Sequence, residues 1–183
     1  MPFCKEFGIF LEGDDDKRFF EGVIEPLLSK KFPDFIFRKI RYAEKKNRVI
    51  KQFLKSFKDQ ECKCLFLKDY DRGPCYTEII ENLLNVFSSL KADEVFIARK
   101  SIESWYLAGA SKDFLKKYDM EGPLEDTSGI TERRFKGLFA GEPASLIKIE
   151  ILESYDLEQA IQKNPSLRRF MNKLEIGPWS IFS

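Results

Sequence analysis

No histidine occurs among the 183 residues. That absence excludes a Ser-His-Asp or Cys-His catalytic arrangement and any His-ligated zinc site. It also removes the usual proton shuttle near neutral pH. Acid-base or metal chemistry must then rest on carboxylates, thiols, lysine, tyrosine or water. Charge of one sign is not in excess either: 31 Lys+Arg face 30 Asp+Glu, so the net +1 names no partner. No run reaches the roughly 18 apolar residues of a membrane helix. The opening segment MPFCKEF carries charge and no apolar stretch, so neither a membrane span nor a signal peptide is expected, and the chain reads as cytoplasmic. Cysteine is scarce, with Cys4, Cys62, Cys64 and Cys75. Only Cys62 and Cys64 are close, with one residue between them, where a four-thiolate zinc site needs two close pairs. Reduced thiols are therefore expected. Low-complexity tracts and internal repeats are also missing.

What is present is a soluble globular composition, 43% hydrophobic and 33% charged. At 183 residues, one compact domain is expected. The first hundred residues alternate. Short apolar runs at 7–11, 35–40, 64–69 and 94–98 predict buried strands. Between them, apolar residues at helical spacing predict helices over 14–30, 43–58 and 76–90. This alternation implies an α/β fold with a mostly parallel four-stranded sheet flanked by helices. Beyond residue 100 the chain reads as short helices at 102–107, 112–118, 143–153, 157–162 and 166–174. The organisation expected is an α/β core over 1–109 and a helical extension over 110–183 packed on the same domain.

In open parallel sheets ligands bind beyond the carboxyl ends of the strands, and acidic residues gather there. The first strand runs into Glu12-Gly13 and then Asp14, Asp15 and Asp16. The third ends in Asp69-Tyr70-Asp71-Arg72, and Glu103 follows the fourth. Clustered carboxylates repel unless a cation sits among them, and hard oxygen ligands suit Mg²⁺ or Mn²⁺. Glu12, Asp69 and Asp71 form the candidate metal set, and Glu103 joins them as a candidate catalytic residue or caps the helix carrying Trp105. Asp14, Asp15 and Asp16 individually read as first-turn helix residues.

The pattern Phe10-Leu11-Glu12-Gly13-x-x-Asp16-Lys17 before a helix, followed by an apolar strand and Asp69-x-Asp71, resembles the Toprim domain of topoisomerases, primases and overcoming-lysogenization-defect type nucleases. The segment Ile97-Ala-Arg99-Lys-Ser-Ile-Glu103-Ser-Trp105-Tyr-Leu-Ala is similar to one in small stand-alone Toprim-like proteins. The resemblance covers residues 7–109. It implies a Rossmann-like Toprim fold in which Glu12, Asp69 and Asp71 bind Mg²⁺. No zinc ribbon, ATPase or tyrosine-nucleophile region is seen, so a complete topoisomerase or primase is not implied.

From residue 38 to 58 nine basic residues stand against Glu44 alone, a local charge of +8. Arg48, Lys51, Lys55 and Lys58 fall on one helical stripe able to track phosphates, or to serve as a solvated face. Arg72 and Arg99 are the further candidates for nucleic-acid contact. The expectation is a Mg²⁺-dependent nuclease acting on nucleic acid, DNA ahead of RNA, with a partner ATPase in trans as an option. The alternative is a non-catalytic module of the same shape that binds nucleic acid or a partner protein. A phosphotransfer receiver also places acids at strand ends, but no suitable lysine accompanies them here.

Overall fold

Glu6–Leu11 is the first strand, β1, and its Phe7, Ile9, Phe10 and Leu11 are fully buried on both faces. That is the burial a parallel sheet with helices on each side demands. The computed structural model describes residues 4–70, 75–120 and 125–176. The other strands are β2 (Ile36–Arg41), β3 (Lys63–Asp69) and β4 (Val95–Ala98). All four run parallel in the order β2-β1-β3-β4. The α/β class, parallel sheet, flanking helices and helical carboxyl-terminal region follow the sequence reading, and the architecture is Rossmann-like.

The helix expected over 14–30 is built in three parts: α1 (Asp14–Phe19), a π turn (Phe20–Ile24) and α2 (Glu25–Lys31). Pro26 has no N–H to give the carbonyl four residues back, and the wider turn lies just ahead of it. α3 (Asn47–Asp59) begins four residues later than its periodicity predicts. Tyr42 N–H donates to the Leu11 carbonyl and Ala43 N–H to that of Glu12, which keeps the chain extended along β1. α4 (Tyr76–Val86) stops short of residue 90, where Phe87 and Leu90 turn into the core.

Aromatic rings fill both faces of the sheet. Phe7 stacks on Phe35 and Phe37, and Phe10 stacks on Phe66, which also carries the Tyr42 ring. Burying each such ring contributes about 1.5–3 kcal/mol. Gly8 lets α3 settle closely, since a Cβ there would stand 2.8 Å from the Phe57 ring.

Cys4 and Cys62 are joined by a disulfide, with Cα atoms 5.1 Å apart. This corrects the expectation of reduced thiols. The register sets Phe7 beside Lys63, so residues just ahead of the two strands meet at one end of the sheet. Cys64 is free and buried, and burial pushes its thiol up to about 12; Cys75 is free and exposed.

The chain divides into two compact units, Met1–Lys68 with Gly73–Ile97, and Asp69–Arg72 with Ala98–Ser183. The second contains α5 (Glu103–Ala108), α6 (Lys112–Lys117), α7 (Glu132–Leu138), α8 (Ala144–Glu153), α9 (Leu157–Lys163) and α10 (Pro165–Ile176). The sequence reading missed α7. Its signal was Thr131, whose hydroxyl accepts from Arg134 N–H as the N-cap, followed by Phe135, which is fully buried.

Candidate functional site

β1 and β3 are hydrogen-bonded parallel neighbours, so the chain leaves the sheet at the same end after Leu11 and at Asp69. Glu12 is held where β1 stops. The Tyr42 hydroxyl stands 3.2 Å from Glu12 Oε2 and 3.1 Å from the Leu67 carbonyl, so its single proton is shared between acceptors on the two neighbouring strands. Lys68 Nζ stands 3.6 Å from the same carboxylate, which is 30% exposed. Asp69, half-buried, is the last residue of β3. Asp71 and Arg72 lie outside the described residues. Among the described residues no group of three or more Cys, Asp or Glu could hold a metal ion.

The three aspartates after Gly13 occupy the first turn of α1. Asp16 accepts from Gly13 N–H at 3.0 Å, Asp15 pairs with Arg18 at 2.5 Å, and Asp14 pairs with Arg41. Acidic side chains suit a helix amino terminus, where free N–H groups converge.

Glu103 lies inside the helical unit. It is 4% exposed, in the first turn of α5, and its carboxylate takes a 2.5 Å ion pair from Lys148 of α8, itself 1% exposed. The Lys148 ammonium also lies over the Tyr106 and Phe135 rings, 5.8 and 5.4 Å from their centroids, a setting that favours a desolvated cation. Arg99 is exposed, while its backbone N–H donates to Ser166 Oγ.

Around it runs a buried polar network that sequence reasoning missed. Asn164, fully buried, donates to Ser104 and Thr127 and accepts from the Ser166 hydroxyl and the Leu167 N–H. Ser166 in turn accepts from Trp105 Nε1 at 2.8 Å. Thus the Trp105 of the Glu-x-Trp segment is a core residue with its one polar atom satisfied. Nothing in the periodicity marks Asn164, because the groups it donates to lie 37 to 60 residues away.

The basic stretch resolves into two classes. On β2, Arg38 pairs with Glu6 at 2.8 Å, Lys39 with Glu25 at 2.8 Å and Glu21 at 3.4 Å, and Arg41 with Asp14 and Glu44. On α3, Arg48, Lys51 and Lys55 are exposed and make no ion pair among the described residues. Lys58 continues that stripe. Burial first, and then the neighbouring Lys91, push its ammonium down. The uncompensated charge is thus on the helix rather than on the strand.

Comparison with family models, with curated proteins and with solved structures finds no match for this chain.

Proposed function

We propose that the chain is a Mg²⁺-dependent enzyme of phosphodiester chemistry on nucleic acid, a small nuclease of the Toprim type. The observation that carries this reading is the placement of Glu12 and Asp69 at the carboxyl ends of two adjacent strands in the middle of a parallel sheet. The donor chemistry fits the ion: both are carboxylates, neither is used up as a helix cap, and Asp71 follows two residues after Asp69. Glu12, Asp69 and Asp71 would hold Mg²⁺ or Mn²⁺, which supplies charge neutralisation and an activated water when bound.

The chain's own groups do the rest. Tyr42 fixes the Glu12 carboxylate, and Lys68 beside it offers a cation to a phosphate oxygen. Arg72 and Arg99 are further candidates for that role, and Glu103, a candidate catalytic residue by its place in the sequence, has its carboxylate taken up by Lys148 within the helical unit. The exposed α3 cations Arg48, Lys51 and Lys55, with Lys58 continuing their stripe, support nucleic acid as the polyanion, with DNA the first choice and a partner ATPase in trans compatible. The buried Glu103–Lys148 pair favours a second reading in which that segment is purely structural and the domain binds without cutting.

Plasmid, single-stranded DNA and RNA incubated with Mg²⁺ or Mn²⁺ separate the two. Asp69→Asn is expected to abolish hydrolysis while leaving the circular-dichroism spectrum unchanged. Full activity in that variant would sink the metal assignment, and gel-shift binding without any cleavage by the wild type would select the second reading. Calorimetric Mg²⁺ binding that Asp69→Asn/Asp71→Asn loses is the supporting result at the site itself.

A further inference from the structure

β2 is an edge strand, and among the described residues no strand pairs with its outer side. Ile36 N–H donates to the Lys5 carbonyl and Tyr42 N–H to that of Leu11. Strand alternation therefore turns the N–H and C=O of Phe37, Lys39 and Arg41 away from β1. No hydrogen bond takes them up among the described residues. An edge of this kind is a template for another strand unless something covers it.

Along this edge runs a cleft of about 840 Å³, lined by β2, by one flank of α3 and by Lys17 and Lys45. It reaches both faces of the sheet. Arg38 points to the α3 side, where it meets Glu6, and Lys39 and Arg41 point to the side of α1 and α2. Five cations line the cleft, with Glu6 the one carboxylate among the lining residues. The acids that pair with Lys39 and Arg41 stand outside the lining. The Arg41 pairs with Asp14 and Glu44 are largely exposed and hold weakly, so an incoming carboxylate can take over that cation, while Lys39 stays half-buried beside Glu25 and adds to the positive field of the cleft. Phe53, 40% exposed, supplies an apolar patch on the α3 side.

We infer that this cleft receives an extended acidic segment of a partner protein, which adds to the sheet as a fifth strand beside β2. The open N–H and C=O groups match a peptide backbone and have no counterpart in a sugar-phosphate chain. Nucleic acid is better served by Arg48, Lys51, Lys55 and Lys58, which the 100° helical step places on the flank of α3 opposite Phe53. A second copy paired edge to edge would set Arg38, Lys39 and Arg41 against themselves. In an added strand, alternate carboxylates would face Lys17, Lys39 and Arg41, and the intervening apolar side chains would face Phe53.

A fluorescein-labelled decapeptide of alternating glutamate and valine tests this by anisotropy against the full chain at low salt. The expected result is saturable binding. It should weaken about tenfold when alternate peptide amides are N-methylated, since backbone hydrogen bonds are lost at unchanged charge. It should weaken similarly for Lys39→Pro, which removes one outward N–H and none that faces β1. The peptide-side comparison stands even if that variant fails to fold. Equal binding of the two peptides, or none by the folded protein, would overturn the proposal. So would displacement of the peptide by oligodeoxythymidine, which would hand the cleft to nucleic acid, or a dimer in sedimentation that the peptide dissolves.

Discussion

Lys148 is where a single side chain bears most on stability. Its ammonium is 1% exposed and its carboxylate partner Glu103 is 4% exposed, with 2.5 Å between them. Removing one partner leaves the other charge buried without its counterion, whereas replacing both by apolar groups does not. Lys148→Met should therefore destabilise the chain by about 3–5 kcal/mol in urea unfolding. Glu103→Leu/Lys148→Met should recover most of that loss. If the single variant proves as stable as wild type, the pair is not the anchor of the helical unit. Glu103 also shows how far single residues were legible. Its position after a strand marked it as acidic and close to a sheet end, but its partner 45 residues on carries no sequence signal. Asp15 and Asp16 were more readable, because their partners lie within three residues: Asp15 meets Arg18, and Asp16 meets Gly13 N–H.

Elements followed the sequence wherever local periodicity and packing agree. α3 was foreseen by its apolar face of Ile50, Leu54 and Phe57, all buried. Its start was misplaced because residues 42 and 43 are claimed by β1 through backbone bonds that periodicity does not encode. The basic stripe on α3 was legible for the same reason as its apolar face, since both depend on the helical step alone. The neutralisation of β2 was not, because Glu6, Asp14, Glu21 and Glu25 arrive from β1, α1, the π turn and α2. This difference sets a test of the nucleic-acid surface. Substituting Arg48, Lys51 and Lys55 together by alanine should flatten the plot of log binding constant against log salt by roughly 2–3 units for a DNA duplex or single strand. Neutral substitution of Arg38 should change the slope little. An unchanged slope in the triple variant would remove α3 from the nucleic-acid surface.

For the whole molecule, the parallel order β2-β1-β3-β4 brings the starts of β1 and β3 together, and with them Cys4 and Cys62. The bridge closes a loop of sequence separation 58, which in the chain-entropy account stabilises by about 4 kcal/mol. Cys62→Ser should lower the denaturation midpoint accordingly, and wild type under reducing conditions should match it. Identical midpoints for reduced and oxidised wild type would show that the bridge contributes nothing. By itself the sequence determined the α/β class, the four strands and the carboxylates at their ends. Strand-helix alternation, apolar runs and the absence of histidine are local or compositional facts, and they act before any long-range contact forms. Only the tertiary structure decided the strand order, the disulfide, the Glu103–Lys148 pair, the Asn164 network and the open edge beside β2. Each depends on groups brought together from distant parts of the chain, whose positions are fixed by burial of the shared core rather than by their neighbours in sequence.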